Sequence, residues 1–239
     1  MSTVYLSAAH ADNRRGGGRP LRVSAPLGVA GLCVAALALT WVVAALVPAT
    51  HVKDAVALYD FTLLGRPRVD DLAKALLHLL DPLLYTLWGV LLIAVALGRR
   101  QPRAAFAVAL VLGLAPLTAE TLKPLLAHPH ARIDGSEITA ASWPSGHATA
   151  AAALALCAVL VAPQRLRPIV AMLGAMFAAG VGFSLLLLAW HLPSDVAGGY
   201  LLGTLWTALA VAGLRATEAR SRPSRSLGRG VRAVRTGVP

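Results

Sequence analysis

Residues 143–163 read WPSGHATAAAALALCAVLVAP, a polar turn followed directly by an apolar run. The run that begins at His147 reaches the lower limit for a helix that crosses a bilayer, about 17 residues. It predicts a membrane helix, with Pro144, Ser145, Gly146 and His147 at the entrance of that helix.

The polar entrance has two interpretations. A helix N-terminus carries free backbone N–H groups and a partial positive charge, which suit an anion. Gly146 lets the backbone approach a ligand, Ser145 adds a hydroxyl donor, and His147 can donate a proton near neutral pH. These features predict a phosphate site. The simpler interpretation is that Ser145 only caps the helix.

The composition is that of a membrane protein. Hydrophobic residues make up 57% of the 239 residues, charged residues 14%, and the mean hydropathy is +0.67. A soluble domain cannot bury so much apolar surface. The net charge of +11 comes from short arginine blocks without a basic, aromatic-rich face, which disfavours nucleic-acid binding. Cys33 and Cys157 lie in apolar runs and are expected to act as small hydrophobic residues.

Six apolar stretches are long enough to cross a bilayer at roughly 20 residues each. We therefore predict an all-α, polytopic membrane protein whose six transmembrane helices form one bundle. A disordered N-terminal segment (1–26), the membrane domain (27–214) and a basic tail (215–239) are the expected units. The predicted helices are 27–48, 82–98, 104–122, 147–163, 168–190 and 196–214.

Positive charge sets the predicted orientation. With six spans, the arginines at 14–22, 99–103, 165–167 and 215–235 all fall on one side. The positive-inside rule makes that side, and both termini, cytoplasmic in a plasma-membrane protein. The basic tail is expected to contact anionic lipid. The loops on the other side then face outward.

The segment 49–81 is too charged to span the bilayer. Its leucines recur at three- and four-residue spacing, which predicts helix. We expect this helix to lie along the outer surface or to pack on the bundle.

A second polar stretch is AWHLPSDVAGG, residues 189–199, in which His191 and Asp195 are four residues apart. Pro193 is expected to interrupt the helix, after which a turn brings Asp195 to one imidazole nitrogen. A carboxylate there fixes the tautomer and makes the other nitrogen a better nucleophile. The alternative is an ordinary capped loop.

Lys123 ends an apolar helix on the predicted outer side. Taken alone, it is expected to extend to the interface or to pair with Glu120 one turn earlier. Ionisable residues at such depths are nevertheless functional candidates, and several converge on this face.

Taken together, these residues resemble the motifs of the type 2 phosphatidic acid phosphatase (PAP2) family, membrane lipid phosphatases related to vanadium haloperoxidases. PSGH is intact at 144–147. SLLLLAWHLPSD matches the third motif with Ser184, His191 and Asp195 in register. KPLLAHPHA matches the first with Lys123 in register.

The resemblance implies a metal-independent mechanism without a cofactor. His191 attacks phosphorus to form a phosphohistidine, and Asp195 orients it. His147 protonates the leaving oxygen and then activates water. Lys123, Ser145 and the Gly146 amide hold the phosphoryl oxygens, and Ser184 supports the site.

Two motif arginines are replaced. His130 and Leu185 stand at their positions. Each charged hydrogen bond is worth about 1.5–3 kcal/mol, so losing both predicts a rate lower by several powers of ten. There are three alternatives. His130 together with His128 can replace the arginine charge when protonated, or Arg132 can reach the phosphate. In the third, hydrolysis is no longer the function. The alternative for both histidines is a solvated loop.

The leading hypothesis is therefore a membrane phosphatase or phosphotransferase acting on a lipid phosphate or prenyl diphosphate at the extracytoplasmic face. The alternative is a catalytically impaired lipid-phosphate-binding or scaffold protein, which the missing arginines favour. A transporter is weaker, since paired interrupted helices in two similar halves are not seen.

Overall fold

The computed structural model describes residues 23–129 and 138–220. Over these residues the chain is all-helical, with eight helices and no strand. The helices are α1 (Ser24–Leu46), α2 (Pro48–Thr62), α3 (Pro67–His78), α4 (Pro82–Gly98), α5 (Pro102–Leu125), α6 (Gly146–Val161), α7 (Arg167–Leu187) and α8 (Pro193–Arg220).

Each of the six predicted apolar stretches is a helix, but they differ as membrane spans. Among the described residues, α1, α5, α7 and α8 are each long and apolar enough to cross a bilayer. α4 qualifies only together with α3, from which it is bent by 54°, and α6 has 16 residues. The chain is therefore a multi-pass membrane protein with four or five candidate spans here, and the count of six stays a prediction.

Proline marks the start of most helices. It is the first residue of α2, α3, α4, α5 and α8, and the second residue of α7. The fixed φ of proline suits the first helical turn, and its missing N–H is not needed there. This rule explains why α8 begins at Pro193, two residues after His191.

The segment 49–81 forms two helices packed on the bundle. α3 contacts α7, and α2 contacts α1, α7 and α8. Leu58 of α2 and Leu77 of α3 are buried in a core cluster with α7 residues, whereas Leu72 faces outward. Of the two expected arrangements, packing on the bundle is the one seen.

The structured part extends beyond the predicted membrane domain at both ends. α1 begins at Ser24, inside the segment expected to be disordered, and α8 continues to Arg220, six residues into the expected tail. Residues 215–220 read RATEAR, which are mostly good helix formers and prolong α8 past the apolar run. The rest of both predicted terminal segments lies outside the described residues.

Two glycines bring α8 close to α6. A Cβ on Gly199 would lie 2.5 Å from the carbonyl oxygen of Ser145, and a Cβ on Gly203 would lie 2.7 Å from that of Thr149. Small residues four apart allow helix backbones in membranes to approach closely. The contact fixes the start of α6 against the first turns of α8, where the polar motifs lie.

Candidate active site

Ser145 lies immediately before α6 and is fully buried. Its Oγ accepts a hydrogen bond from the backbone N–H of Ala148 at 3.4 Å. Ser145 is therefore a helix cap, as the simpler interpretation proposed. The cap uses the hydroxyl oxygen as an acceptor, so the hydroxyl hydrogen can still be donated to another group.

His191 and Asp195 meet across the turn between α7 and α8. His191 Nδ1 lies 3.3 Å from Asp195 Oδ2, which also accepts the backbone N–H of Leu192 at 3.0 Å. α8 begins at Pro193, between the two residues, so they do not lie on one continuous helix, as expected. With Nδ1 on the carboxylate, Nε2 is the imidazole nitrogen left to act on a substrate.

The carboxyl group of Asp195 is fully buried. Within the described part of the chain, its Oδ1 has no hydrogen-bond partner. A buried carboxylate oxygen without a partner carries a desolvation cost. A positive charge on the adjacent imidazole would offset that cost in part.

The two polar motifs are joined through their backbones. The N–H of Ser145 donates to the carbonyl oxygen of Asp195 at 3.0 Å. Gly199 contacts the Ser145 carbonyl from the next turn of α8. The turn before α6 and the first turns of α8 therefore form one rigid unit.

Lys123 lies beside the entrance of α6. Its Nζ donates to Glu120 Oε1 at 2.6 Å, which is the pairing expected from their spacing. A Cβ on Gly146 would lie 2.8 Å from the same Glu120 oxygen and 3.7 Å from Lys123 Nζ. Both charged groups therefore lie next to the first residue of α6. Lys123 pairs with Glu120 and also lies at the candidate site, so both expectations for it apply.

His147 is the second residue of α6 and packs its ring against Trp190, with centroids 6.1 Å apart. It interacts electrostatically with both His191 and Lys123. Trp190 was missed as a site residue, although it directly precedes His191 in sequence. Two histidines, a carboxylate and a lysine thus surround the N-terminus of α6.

Comparison with known proteins shows what part of the chain is similar to. Residues 104–218 match the family model described as PAP2 superfamily. Over these residues, just under half of the chain, the sequence is similar to the PAP2 superfamily. The fold is similar to the crystal structure of a transmembrane PAP2-type phosphatidylglycerolphosphate phosphatase from Bacillus subtilis. That match has a TM-score of 0.65 and 22% identity, and covers 84% of this chain and 98% of that chain. No curated protein matches this one.

The residue at the position of the third-motif arginine lies in the core. Leu185, which stands at that position, is fully buried in a core cluster with Leu58, Leu77 and Leu192. Its side chain is part of the packing between α7 and the α2–α3 segment. Leu185 therefore makes apolar contacts at the position of the motif arginine.

Ser184, the neighbouring predicted site residue, is also buried in α7. Its hydroxyl donates to the carbonyl oxygen of Gly180 at 2.8 Å. This bond lies within the helix, where serine commonly bonds to the carbonyl four residues earlier. A role for Ser184 in supporting a phosphate therefore stays a prediction.

The loop histidines have different outcomes. His130 and Arg132 lie outside the described residues, so their phosphate roles stay predictions. His128 is buried, its Nδ1 lies 3.0 Å from the Leu126 carbonyl oxygen, and its ring meets the edge of Trp41. The expectation of a solvated His128 is wrong, because the ring fills the contact between α1 and the end of α5.

Asp54 of α2 is a second residue that the sequence did not single out. Its carboxylate accepts the backbone N–H of Ser194 at 3.3 Å and also the Ser194 hydroxyl, at the start of α8. Burial raises the pKa of the Asp54 carboxyl, and the hydrogen bonds from Ser194 partly oppose that rise. These bonds tie α2 to the first turn of α8, next to His191 and Asp195.

Proposed function

We propose that this protein is a membrane lipid-phosphate phosphatase or phosphotransferase that works through a phosphohistidine on His191. The observation that carries the proposal is the His191–Asp195 pair at 3.3 Å, joined by a backbone hydrogen bond to Ser145 at the entrance of α6. A nucleophile held by a buried carboxylate beside a helix N-terminus is suited to phosphoryl transfer.

In the first step, His191 Nε2 attacks phosphorus and the bond to the lipid oxygen breaks. His147 gives a proton to that oxygen as it leaves. The imidazole of His191 becomes cationic, and Asp195 stabilises this charge through Nδ1–H.

In the second step, a water molecule attacks the phosphohistidine and the P–N bond breaks. His147, now neutral, takes the water proton, so phosphate leaves and both histidines return to their starting state. If an alcohol replaces the water, the phosphoryl group is transferred instead of hydrolysed.

The phosphoryl oxygens are proposed to bind where Lys123, the Gly146 N–H and the Ser145 hydroxyl meet. Lys123 supplies a full positive charge and the helix N-terminus a partial one. These groups provide the electrostatic stabilisation that the transferred phosphoryl group needs, and the scheme requires no metal ion.

The substrate is proposed to be a lipid phosphate or a prenyl diphosphate that reaches the site from the membrane. Lys123 and the α6 entrance lie at the end of the bundle opposite the arginine-rich turns at 99–103 and 165–167. By the positive-inside rule, the site is proposed to be extracytoplasmic and the termini cytoplasmic. The plasma membrane is the proposed location.

A second candidate function is binding of a lipid phosphate without turnover. Leu185 favours it, because a buried leucine makes no contact with phosphoryl oxygens. Glu120 also favours it, since its carboxylate pairs with the lysine that a phosphate would need. Such a protein retains the lipid but releases no phosphate.

The test is phosphate release by the purified full chain in detergent, with a chelator present. Phosphatidic acid, phosphatidylglycerolphosphate and a prenyl diphosphate form the substrate panel. We expect release that His191→Ala abolishes and that His78→Ala, a change of an exposed histidine on α3, leaves intact. Binding of these lipids with no His191-dependent release would support the second candidate instead.

A further inference from the structure

A long apolar groove lies at the other end of the bundle from His191. It runs between the first half of α5 and the last half of α8, with a volume of about 590 Å³. Phe106 and Leu110 on α5 face Leu209 and Gly213 on α8 across it. Phe106 is 66% exposed. The groove is therefore open to its surroundings along one side.

The length of the groove matches one leaflet of a bilayer. On α8 its lining extends from Trp206 to Thr217, which at 1.5 Å per residue is roughly 16 Å. Half of a hydrocarbon core is about 15 Å. Trp206 lines the end of the groove nearest the middle of α8, where its Nε1 donates to Thr118 Oγ1 of α5 at 3.1 Å.

At the arginine-rich end of the bundle, the groove meets a second, polar cavity of about 440 Å³. The two cavities share Pro102, Arg103 and Leu214. The second cavity adds Arg100 and Arg167, so three arginines line it, two from around the start of α5 and one from the start of α7.

Glu218 is the acidic residue among those that line the polar cavity. Arg167 is held in place by a hydrogen bond from its Nε to the Ala162 carbonyl oxygen, 3.3 Å away at the end of α6. A cation at a helix C-terminus is favourable, which keeps this guanidinium at the cavity. The balance of charge at the mouth of the groove is positive.

We propose that this end of the bundle binds an anionic phospholipid. One acyl chain lies in the groove between α5 and α8, and the phosphate lies among Arg100, Arg103 and Arg167. The joined cavities favour a phospholipid, because an apolar groove of leaflet length ends at the cationic pocket. Arg103 and Lys123 are 20 residues apart on α5, roughly 30 Å, so this lipid is not the proposed substrate molecule.

The test for the headgroup is lipid retention by the purified full chain, measured by native mass spectrometry. Dioleoyl phosphatidylglycerol and dioleoyl phosphatidylcholine are the two probes. The double variant Arg103→Gln/Arg167→Gln should retain phosphatidylglycerol about tenfold more weakly than the wild type. Arg99→Gln/Arg165→Gln, which changes neighbouring arginines outside the cavity, should match the wild type.

The test for the acyl chain uses Gly213. A Cβ at this position meets open space, so Gly213→Leu fills the groove without a clash. It should weaken retention of phosphatidylglycerol, whereas Gly31→Leu on α1, also facing open space, should not. Equal retention of both lipids, or retention unchanged in both the arginine and the Gly213 variants, would overturn the proposal.

Discussion

The backbone N–H of Ser145 donates a 3.0 Å hydrogen bond to the backbone carbonyl of Asp195. Both residues are fully buried. The bond joins the residue that caps α6 to the residue that holds His191. The spacing between the proposed nucleophile and the proposed phosphate cradle is therefore set by the contact between α6 and α8 more than by mobile side chains.

Gly199 is predicted to be essential for this contact. Gly199→Ala places a Cβ 2.5 Å from the Ser145 carbonyl oxygen, so α6 and α8 must move apart. We expect a stability loss of about 1–3 kcal/mol, as for other overpacked sites, together with lower activity. The measurement is thermal unfolding in detergent. Gly213→Ala is the matched control, and an equal Tm for both variants would contradict the prediction.

Glu120 is predicted to compete with the phosphate. Its carboxylate pairs with Lys123 and lies against Gly146, where a phosphoryl group would bind. The side chain is 60% exposed, so the pair is worth at most about 1 kcal/mol. Glu120→Gln should lower KM for a lipid phosphate by about two- to fivefold with little change in kcat.

Lys123→Met provides the complementary measurement. It should raise KM, and adding Glu120→Gln to it should bring no further gain, since the competing pair is already absent. A higher KM for Glu120→Gln alone would mean that the carboxylate positions the lysine instead of competing with the substrate.

Replacing Leu185 with the arginine of the family motif is predicted to destabilise the protein. Leu185→Arg would bury an uncompensated charge among Leu58, Leu77 and Leu192, at a cost of about 3–5 kcal/mol. Leu185→Met, which conserves volume, should keep the wild-type Tm within a few degrees. If Leu185→Arg folds with an unchanged Tm and turns over substrate faster, the residue borders the site and not the core.

Asp54 is predicted to make stability depend on pH. Burial raises the pKa of its carboxyl in the folded state, so ionisation costs more there than in the unfolded chain. The stability from the protonated form is present at low pH and is lost as pH rises through the raised pKa. Relative to Asp54→Asn, the wild-type Tm should therefore fall as pH rises from about 4 towards neutrality.

The matched control for that pH series is Asp60→Asn, on an exposed position of the same helix. A pH-independent difference between wild type and Asp54→Asn would contradict the prediction. The prediction would also be contradicted if the Tm difference between wild type and Asp60→Asn changed with pH in the same way.

The sequence predicted the helices because their signal is local. Apolar runs defined all six stretches. Proline at most helix starts was a further local signal that the predicted bounds did not use. The close approach of Gly199 to Ser145 is different, because it depends on which face of α8 turns towards α6. The pattern Gly-x-x-x-Gly at 199–203 was the available signal for that contact.

The site was predictable only as a set of residues. His191, Asp195, Ser145 and Lys123 do come together, and the pairing of Lys123 with Glu120 was expected. The contact of Glu120 with Gly146 and the contact of Asp54 with the start of α8 were not foreseen. Both depend on tertiary packing between segments far apart in the chain. The burial of Leu185 is similar: a leucine in an apolar helix gives no indication of which neighbours it packs against.

The most direct test of the central claim is chemical trapping of the intermediate. The full chain is mixed with a lipid phosphate, denatured rapidly in alkali, and digested for mass spectrometry. We predict an acid-labile, alkali-stable phosphoryl group on the peptide containing His191, absent in His191→Ala. Phosphate release with no label on His191, or equal release by His191→Ala, would contradict it.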